Sequence, residues 1–193
     1  MRIYFIKIDD DSPDCGIDAI SLVEVPAVQK NFLCFNEEKP MQMNFRDETQ
    51  HIITGVLCLA DTPIYRNDER FGEYYVVFTK DTIQKMVERF AKSDLFRSVN
   101  LQHKDDSFVD GIYMFESYIV NKERGICPAE FADIPDGSWV GSYKVENPTL
   151  WEEIVNGNEL NGFSLQGFFR LDEKFSEAKK ETPDFDSWIE KFL

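Results

Sequence analysis

Apolar and polar residues alternate along most of this chain, in short runs separated by turn-forming segments. Such runs are typical of β-strands that bury one face, because successive side chains of a strand point to opposite sides. The pattern predicts strands at 2–8, 17–25, 31–35, 51–59, 74–78, 98–103, 112–120, 138–145 and 160–171. Because the strands follow one another in runs, we expect a mostly antiparallel barrel or sandwich with helices outside.

The same pattern predicts three helices. The first follows Thr79, a typical N-cap, and its apolar residues recur every three and four positions. The second begins at Pro148, after the capping residue Asn147, and ends at Gly157. The third is a terminal amphipathic helix within 184–193. The predicted buried face of the first helix comprises Ile83, Met86, Val87 and Phe90.

One segment, 37–50, has no hydrophobic period and carries much charge, so it is interpreted as a flexible acidic connection. It separates the N-terminal strands of 1–36 from a main body, 51–171, which is followed by a tail, 172–193. A chain of 193 residues with 17 phenylalanines can bury one sizeable core. We therefore expect a single domain in which the N-terminal strands complete the main body.

The charge balance limits the possible partners. The chain has 36 acidic and 21 basic residues and a net charge of -15. Nucleic acid and anionic membranes are poor partners, because each requires a basic surface. No apolar run reaches the ~20 residues that span a bilayer, and the N-terminus alternates like a strand instead of resembling a signal peptide. We therefore expect an intracellular protein that is not secreted.

The residues that could bind a metal are few and dispersed. The chain has two histidines, His51 and His103, and its cysteines form no CxxC motif. We expect reduced, buried thiols and neither a structural zinc nor a cofactor. His103, Asp105 and Asp106 could bind a hard cation, but two aspartates before a serine are more typical of a turn. The cysteines are Cys15, Cys34, Cys58 and Cys127.

The sequence NGFSLQGFF, at 161–169, places Ser164 between two glycines in a predicted strand. A serine becomes a good nucleophile when a base takes its proton, and histidine is the usual base. His103 ends the extended segment NLQH, which suits a base better than the position of His51 directly after the connection. The segment is not a GxSxG elbow, so a packing role and a nucleophilic role for Ser164 both remain open from the pattern.

Seven motifs then point to a family. In order they are PIYR (63–66), GEYYVVFTKDTI (72–83), NLQH (100–103), ESYIV (116–120), DGSWVGSYKV (136–145), LWEEIVNG (150–157) and NGFSLQGFF (161–169). Their order and spacing closely resemble those of the XkdF-like phage serine proteases. These are relatives of the tailed-phage prohead proteases and, more distantly, of the herpesvirus assemblins. The resemblance extends from about residue 52 to 169, most of the chain.

The resemblance implies a fold, an activity and a setting. The fold would be an assemblin-like antiparallel β-barrel of about seven to eight strands with peripheral helices. The activity would be that of a serine endopeptidase, with Ser164 as nucleophile and His103 as base on neighbouring strands. Its substrates would be the phage scaffold and major capsid proteins, cleaved inside the assembling procapsid in the host cytoplasm. The assemblins further imply a homodimer.

The third member of the implied site departs from the family. The segment IDAISLVEVPA, at 17–27, resembles a strand that follows the serine in ordinary prohead proteases, which implies a circular permutation. Where that strand has its acid, this chain has Ala19. The neighbouring Asp18 is our candidate, although it could reach the site only through a bulge or a strand end. The alternatives are Glu24, Asp105, Glu116 and a bare Ser-His dyad.

The missing acid supports a second hypothesis about function. The chain would then keep the protease fold but act as a non-catalytic capsid-assembly or scaffold-binding module. The geometry of Ser164 and His103 should discriminate between the two, because a general base must lie within reach of the proton that it removes.

Overall fold

The computed structural model describes residues 2–9, 11–12, 15–24, 45–47, 50–68, 71–104, 106–156 and 160–172. Over these residues the chain forms eleven β-strands, two α-helices and two short 3₁₀ helices. The predicted mostly β class with a few helices is therefore confirmed. Within the described ranges, no helix combines the length and the apolar character that crossing a bilayer requires.

The strands are β1 (Arg2–Lys7), β2 (Gly16–Val23), β3 (Phe45–Asp47), β4 (Ile52–Cys58), β5 (Pro63–Asp68), β6 (Gly72–Val77), β7 (Val99–Leu101), β8 (Ile112–Ile119), β9 (Trp139–Val145), β10 (Gly162–Phe168) and β11 (Arg170–Asp172). Helix α1 is Lys80–Lys92, and helix α2 is Pro148–Asn156. The 3₁₀ helices are Leu95–Arg97 and Ala129–Phe131. The strand predicted at 31–35 and the helix predicted at 184–193 lie outside the described residues.

Two strands lie where the sequence indicated loops. β3 falls within the predicted connection and pairs antiparallel with β4. β5 lies in a segment without clear alternation, and it forms an antiparallel pair with β6 in which Tyr65 is opposite Tyr75. The two tyrosine rings meet edge to face at 5.9 Å between centroids. Pairing with a partner strand, which a local pattern does not reveal, decides the conformation of both segments.

The strands are arranged in three sheets, in the orders β11-β1-β6-β5, β10-β2-β7 and β3-β4-β9-β8. All pairs are antiparallel except β1–β6 and β2–β7, which are parallel. The sheets are not closed into a barrel, so the structure differs from the closed fold that the resemblance implies. They pack instead around one large apolar cluster to which all three contribute, and Trp139, Tyr143 and Ile20 are among its most buried members.

The N-terminal strands lie inside these sheets. β1 is between β11 and β6, and β2 is between β10 and β7. Helix α1 secures their connection, because the Arg89 guanidinium donates to the carbonyl oxygens of Asp9 (2.7 Å) and Ser12 (3.2 Å). Thr82 Oγ1 in the first turn of α1 donates to Ile6 O at 2.9 Å. Strand β2 is thereby positioned between the strand that carries Ser164 and the strand that leads to His103.

Both helices begin at their predicted caps, Val87 of the predicted α1 face is only partly buried, and the predicted end of α2 at Gly157 lies outside the described residues. Thr79 Oγ1 accepts a hydrogen bond from Thr82 N at the start of α1, and Ile83, Met86 and Phe90 are buried. Asn147 Oδ1 accepts from Leu150 N at the start of α2. Capping side chains and a spacing of three and four are local signals, which explains why the sequence predicts these elements well.

Candidate active site

A row of polar residues crosses the sheet β10-β2-β7. Ser21 of β2 lies opposite Ser164 of β10 in the antiparallel register and opposite Asn100 of β7 in the parallel register. Directly paired residues of neighbouring strands present their side chains on the same face, and such strands are about 4.8 Å apart. The resemblance implied that the serine and histidine strands are neighbours. Here β2 separates them, so Ser164 lies one strand from Ser21 and two from Asn100.

His103 follows β7 in a tight turn. Gln102 and His103 both have left-handed backbone conformations, with φ angles of 53° and 56°. Two consecutive non-glycine residues in this region are uncommon and cost free energy, and such strain is concentrated at functional sites. Hydrogen bonds hold the turn, from Gln102 N to Leu22 O (2.9 Å) and from Lys104 N to Leu101 O (3.1 Å). The turn carries the His103 ring back over β2.

The His103 ring contacts Ser21. The His103 Nδ1 atom is 2.9 Å from Ser21 Oγ. Ser21 Oγ also donates to Asn100 Oδ1 at 2.5 Å, and Asn100 Nδ2 donates to Gln166 Oε1 at 2.6 Å. A hydroxyl has one proton. When Ser21 donates it in the hydrogen bond to Asn100, Ser21 Oγ can only accept a hydrogen bond from the N–H at His103 Nδ1. This arrangement leaves the lone pair of the neutral ring on Nε2.

The protonation of His103 is set by burial and by two side chains. Burial lowers the pKa of His103 below its usual 6.5, a hydrogen bond with Gln166 raises it, and the positive charge of Arg66 lowers it further. The residue is exposed as a whole, but the side of the ring that contacts Ser21 lies against a fully buried residue. Both effects that lower the pKa favour the neutral ring near pH 7. The neutral ring is the form that can accept a proton.

Ser164 lies at the border between this network and a cavity. The residue is 8% exposed, and it lines an open cavity of about 310 Å³ between the three sheets. The walls are mainly apolar, with Phe163 and Leu165 on one side and the 73% exposed Phe168 as a neighbour. The structure shows no hydrogen bond between Ser164 Oγ and His103, whose Nδ1 is bonded to Ser21 instead.

Exposure distinguishes the two serines of the row. Ser21 is fully buried, so a peptide carbonyl cannot approach its hydroxyl. Ser164 borders open space, and its strand β10 is at the edge of its sheet, with no further strand paired beyond it among the described residues. An unpaired strand edge can bind an extended peptide by main-chain hydrogen bonds. Ser21 is therefore suited to orient the ring, and Ser164 is suited to meet a substrate.

None of the predicted acids that the structure describes forms a recorded contact with the His103 ring. Asp18 is exposed at a β-bulge of β2, because Gln166 pairs with Ala19 and Gly167 pairs with Ile17. Glu24 is also exposed, and its backbone N–H donates to the Gln102 side chain at 3.3 Å. Glu116 accepts a hydrogen bond from Ser142 in another sheet. Asp105 lies outside the described residues. No carboxylate of a described residue is among the groups that shift the His103 pKa.

His51, the other histidine, lies outside this network. The His51 ring stacks on Trp151 of α2, with 4.6 Å between ring centroids. Among the described residues, no three or more His, Cys, Asp or Glu side chains lie together in a way that could hold a metal. Cys15, Cys58 and Cys127 are free thiols.

Sequence reasoning missed three members of the network, namely Ser21, Asn100 and Gln166. Each is polar in an otherwise apolar strand, and that signal was available. Gln166 is also two residues from Ser164, which places both on one face of β10. The missing information was the partner of each, because Ser21 and Gln166 are 145 positions apart and meet only through β-pairing.

The network has the parts of a serine hydrolase site in which neutral groups replace the usual carboxylate. A buried hydroxyl contacts the ring, burial favours the neutral form of the ring, and a second hydroxyl borders a cavity. No protein-family model, no curated protein and no solved structure matches this chain significantly.

Proposed function

We propose that the protein is a serine endopeptidase in which Ser164 is the nucleophile, His103 the general base and Ser21 the residue that positions the base. The observation that carries the proposal is the 2.9 Å contact between Ser21 Oγ and His103 Nδ1, within the row that also contains Ser164. When Nδ1 carries the ring proton in this contact, Nε2 is the basic nitrogen of the neutral ring. The ordered motifs shared with XkdF-like phage proteases support the same two catalytic residues.

The chemical steps follow from these positions. As a peptide binds, His103 Nε2 takes the proton of Ser164 Oγ, and the oxygen attacks the carbonyl carbon. The resulting imidazolium is stabilised by the Ser21 hydroxyl at Nδ1 and by Gln166, whose hydrogen bond raises the His103 pKa. The ring then returns the proton to the leaving amine. Water hydrolyses the acyl-enzyme through the same base.

The Ser164 side chain must move for this reaction, since it makes no hydrogen bond with His103 in the structure. Ser164 lies one strand from Ser21, a spacing of about 4.8 Å. A rotamer change of the serine and a shift of the exposed ring would have to bring Ser164 Oγ to Nε2. Catalytic hydrogen bonds are often long before substrate binds.

The setting that fits the resemblance is maturation of a phage head, with scaffold and major capsid proteins as substrates inside the procapsid. Both would reach the enzyme at high local concentration, so a site without a carboxylate could suffice. The net charge of -15 agrees with protein substrates and disfavours DNA as a ligand. In this setting a homodimer, as in assemblins, would be the active form.

The test combines labelling with processing. A fluorophosphonate should label the wild-type protein at Ser164, as mapped by mass spectrometry, and labelling should be lost in Ser164→Ala and His103→Ala. The same two variants, expressed beside a scaffold fusion, should fail to cleave it. Ser142→Ala is the matched control, because Ser142 is also a buried serine but bonds Thr54 and Glu116 in another sheet. Cleavage that survives both substitutions, or labelling at Ser21, would refute the assignment.

The absent Ser164–His103 hydrogen bond favours a second candidate, a non-catalytic scaffold-binding module that keeps the protease fold. In that case the scaffold fusion would bind wild type and Ser164→Ala equally, and neither would react with the phosphonate. Co-purification of the fusion without any labelling would therefore select the module over the enzyme.

A further inference from the structure

Arg66 of β5 lines the same cavity as Ser164. Its Nη1 donates to the neighbouring carbonyl oxygen Tyr65 O at 3.1 Å. Within the described part of the chain, no carboxylate forms an ion pair with this guanidinium. The other side chains of the cavity are mostly apolar, and Ile64, Val76 and Phe78 are among them. A positive charge therefore lies on an apolar wall, and none of the described residues supplies a counter-ion.

The neighbouring polar groups do not neutralise Arg66. Burial lowers the pKa of Arg66, while Tyr74 and Cys58 raise it. Burial also raises the pKa of the Cys58 thiol, which therefore stays protonated near neutral pH. Arginine remains charged even when its pKa falls moderately, since its ordinary value is above 12. Removing a charge from water is costly unless an opposite charge meets it.

We propose that this cavity binds the carboxylate of an acidic substrate side chain, adjacent to the peptide bond that Ser164 attacks. The inference rests on the proposed function, because it specifies the substrate class of that site. A guanidinium suits a planar carboxylate, which it can bind through two parallel hydrogen bonds. The apolar walls formed by Phe163 and Leu165 suit the methylene groups of a glutamate stem. A volume of about 310 Å³ is sufficient for one such side chain.

The cavity and the base are electrostatically linked. The charge of Arg66 lowers the pKa of His103, so the two groups lie within range of each other. A carboxylate bound to Arg66 would offset that charge and raise the pKa of His103. Binding of an acidic side chain should therefore be visible at the ring, and a neutral side chain of the same shape should have no such effect.

The experiment uses the full chain with Ser164→Ala, so that peptides bind without turnover. Two probes are compared by calorimetry, acetyl-Ala-Ala-Ala-Glu-Ala-Ala-amide and the same peptide with Gln in place of Glu. We expect the Glu peptide to bind about tenfold to a hundredfold more tightly, the range for a charge-assisted hydrogen bond in a buried site. Adding Arg66→Gln should abolish the preference, and Arg66→Lys should retain part of it.

Two further measurements make the result specific. Arg124→Gln changes the net charge equally at an exposed loop, so it should leave the preference intact. The pKa of His103, followed by NMR, should rise when the Glu peptide binds and stay constant with the Gln peptide. Equal binding of the two peptides, failure of both to bind, or an equal loss of preference in Arg66→Gln and Arg124→Gln would overturn the inference.

The test of the acidic subsite and the test of the peptidase can fail independently. Loss of phosphonate labelling in Ser164→Ala with no preference for Glu would leave the peptidase intact and reject the acidic subsite. Persistent cleavage in Ser164→Ala would reject the peptidase assignment, while the peptide preference would still be measured by binding alone.

Discussion

Replacing Ser21 by alanine removes the atom that joins His103 to the rest of the site. Ser21 Oγ contacts His103 Nδ1 at 2.9 Å and donates to Asn100 Oδ1 at 2.5 Å. The partly exposed ring can exchange its lost partner for water. Asn100 is fully buried and cannot, so the substitution leaves its carbonyl oxygen unsatisfied. An unsatisfied buried acceptor costs about 1–3 kcal/mol of unfolding free energy.

The effect on activity follows from the lost orientation of the ring. One neutral hydrogen bond contributes about 0.5–1.5 kcal/mol, and a factor of ten in rate corresponds to about 1.4 kcal/mol. We therefore expect kcat to fall by about tenfold in Ser21→Ala, with KM little changed, because Ser21 is buried and does not touch substrate. Nitrogen NMR of the ring should show the proton shared between Nδ1 and Nε2 in place of a single tautomer.

The assay is cleavage of a fluorogenic peptide, run beside urea unfolding. Ser142→Ala is the control, since it also removes a buried hydroxyl with two hydrogen bonds and should cost similar stability without lowering kcat. Ser21→Thr retains the hydroxyl and should recover much of the rate. Equal rate losses in Ser21→Ala and Ser142→Ala, or an unchanged tautomer, would refute the positioning role.

Three further outcomes are expected. Because burial and Arg66 lower the pKa of His103 and the neutral ring is the base, kcat/KM should rise with pH through a midpoint below 6.5, and Arg66→Gln should move that midpoint upward. A midpoint above 6.5 in the wild type would contradict this. Between the lowered pKa of His103 in the folded protein and 6.5, the unfolded chain binds more protons than the folded one. The free energy of unfolding should therefore fall as pH decreases below 6.5, and it should fall less in His103→Gln. Gly167→Ala should lose about 1–3 kcal/mol in urea unfolding, because its Cβ would lie 2.0 Å from Gly16 O at the bulge. Gly125→Ala, whose Cβ meets nothing within 4 Å, incurs only the left-handed backbone cost of about 1 kcal/mol and serves as the comparison.

Local signals predicted much of the fold. Thr79 and Asn147 begin the helices as expected, and the alternating segments around Ser21, Tyr143 and Ser164 are strands. These features depend on residues within a few positions of one another. β3 and β5 were missed because their conformation depends on pairing with β4 and β6. The local sequence pattern of a segment does not show which strand it will pair with.

The candidate site shows the same difference between what local signals predict and what depends on contacts between distant residues. The sequence by itself predicted His103 and Ser164 as site residues, since a motif order and the choice between two histidines are properties of the chain alone. It directed the search for a third member toward carboxylates, with Asp18 first, because an ionised acid is the usual partner of a catalytic histidine. The structure places Asp18 at an exposed bulge and puts the ring against Ser21.

Only the tertiary structure determined that Ser21 is the residue in contact with the His103 ring. Ser21 and Asn100 are 79 positions apart, and the parallel register of β2 and β7 brings them into contact. Register depends on how both faces of a sheet are buried by the rest of the molecule, and a slip by one residue would turn Ser21 away from the ring. The sequence therefore determines which groups are available for chemistry, and the packing of the strands determines which of them meet.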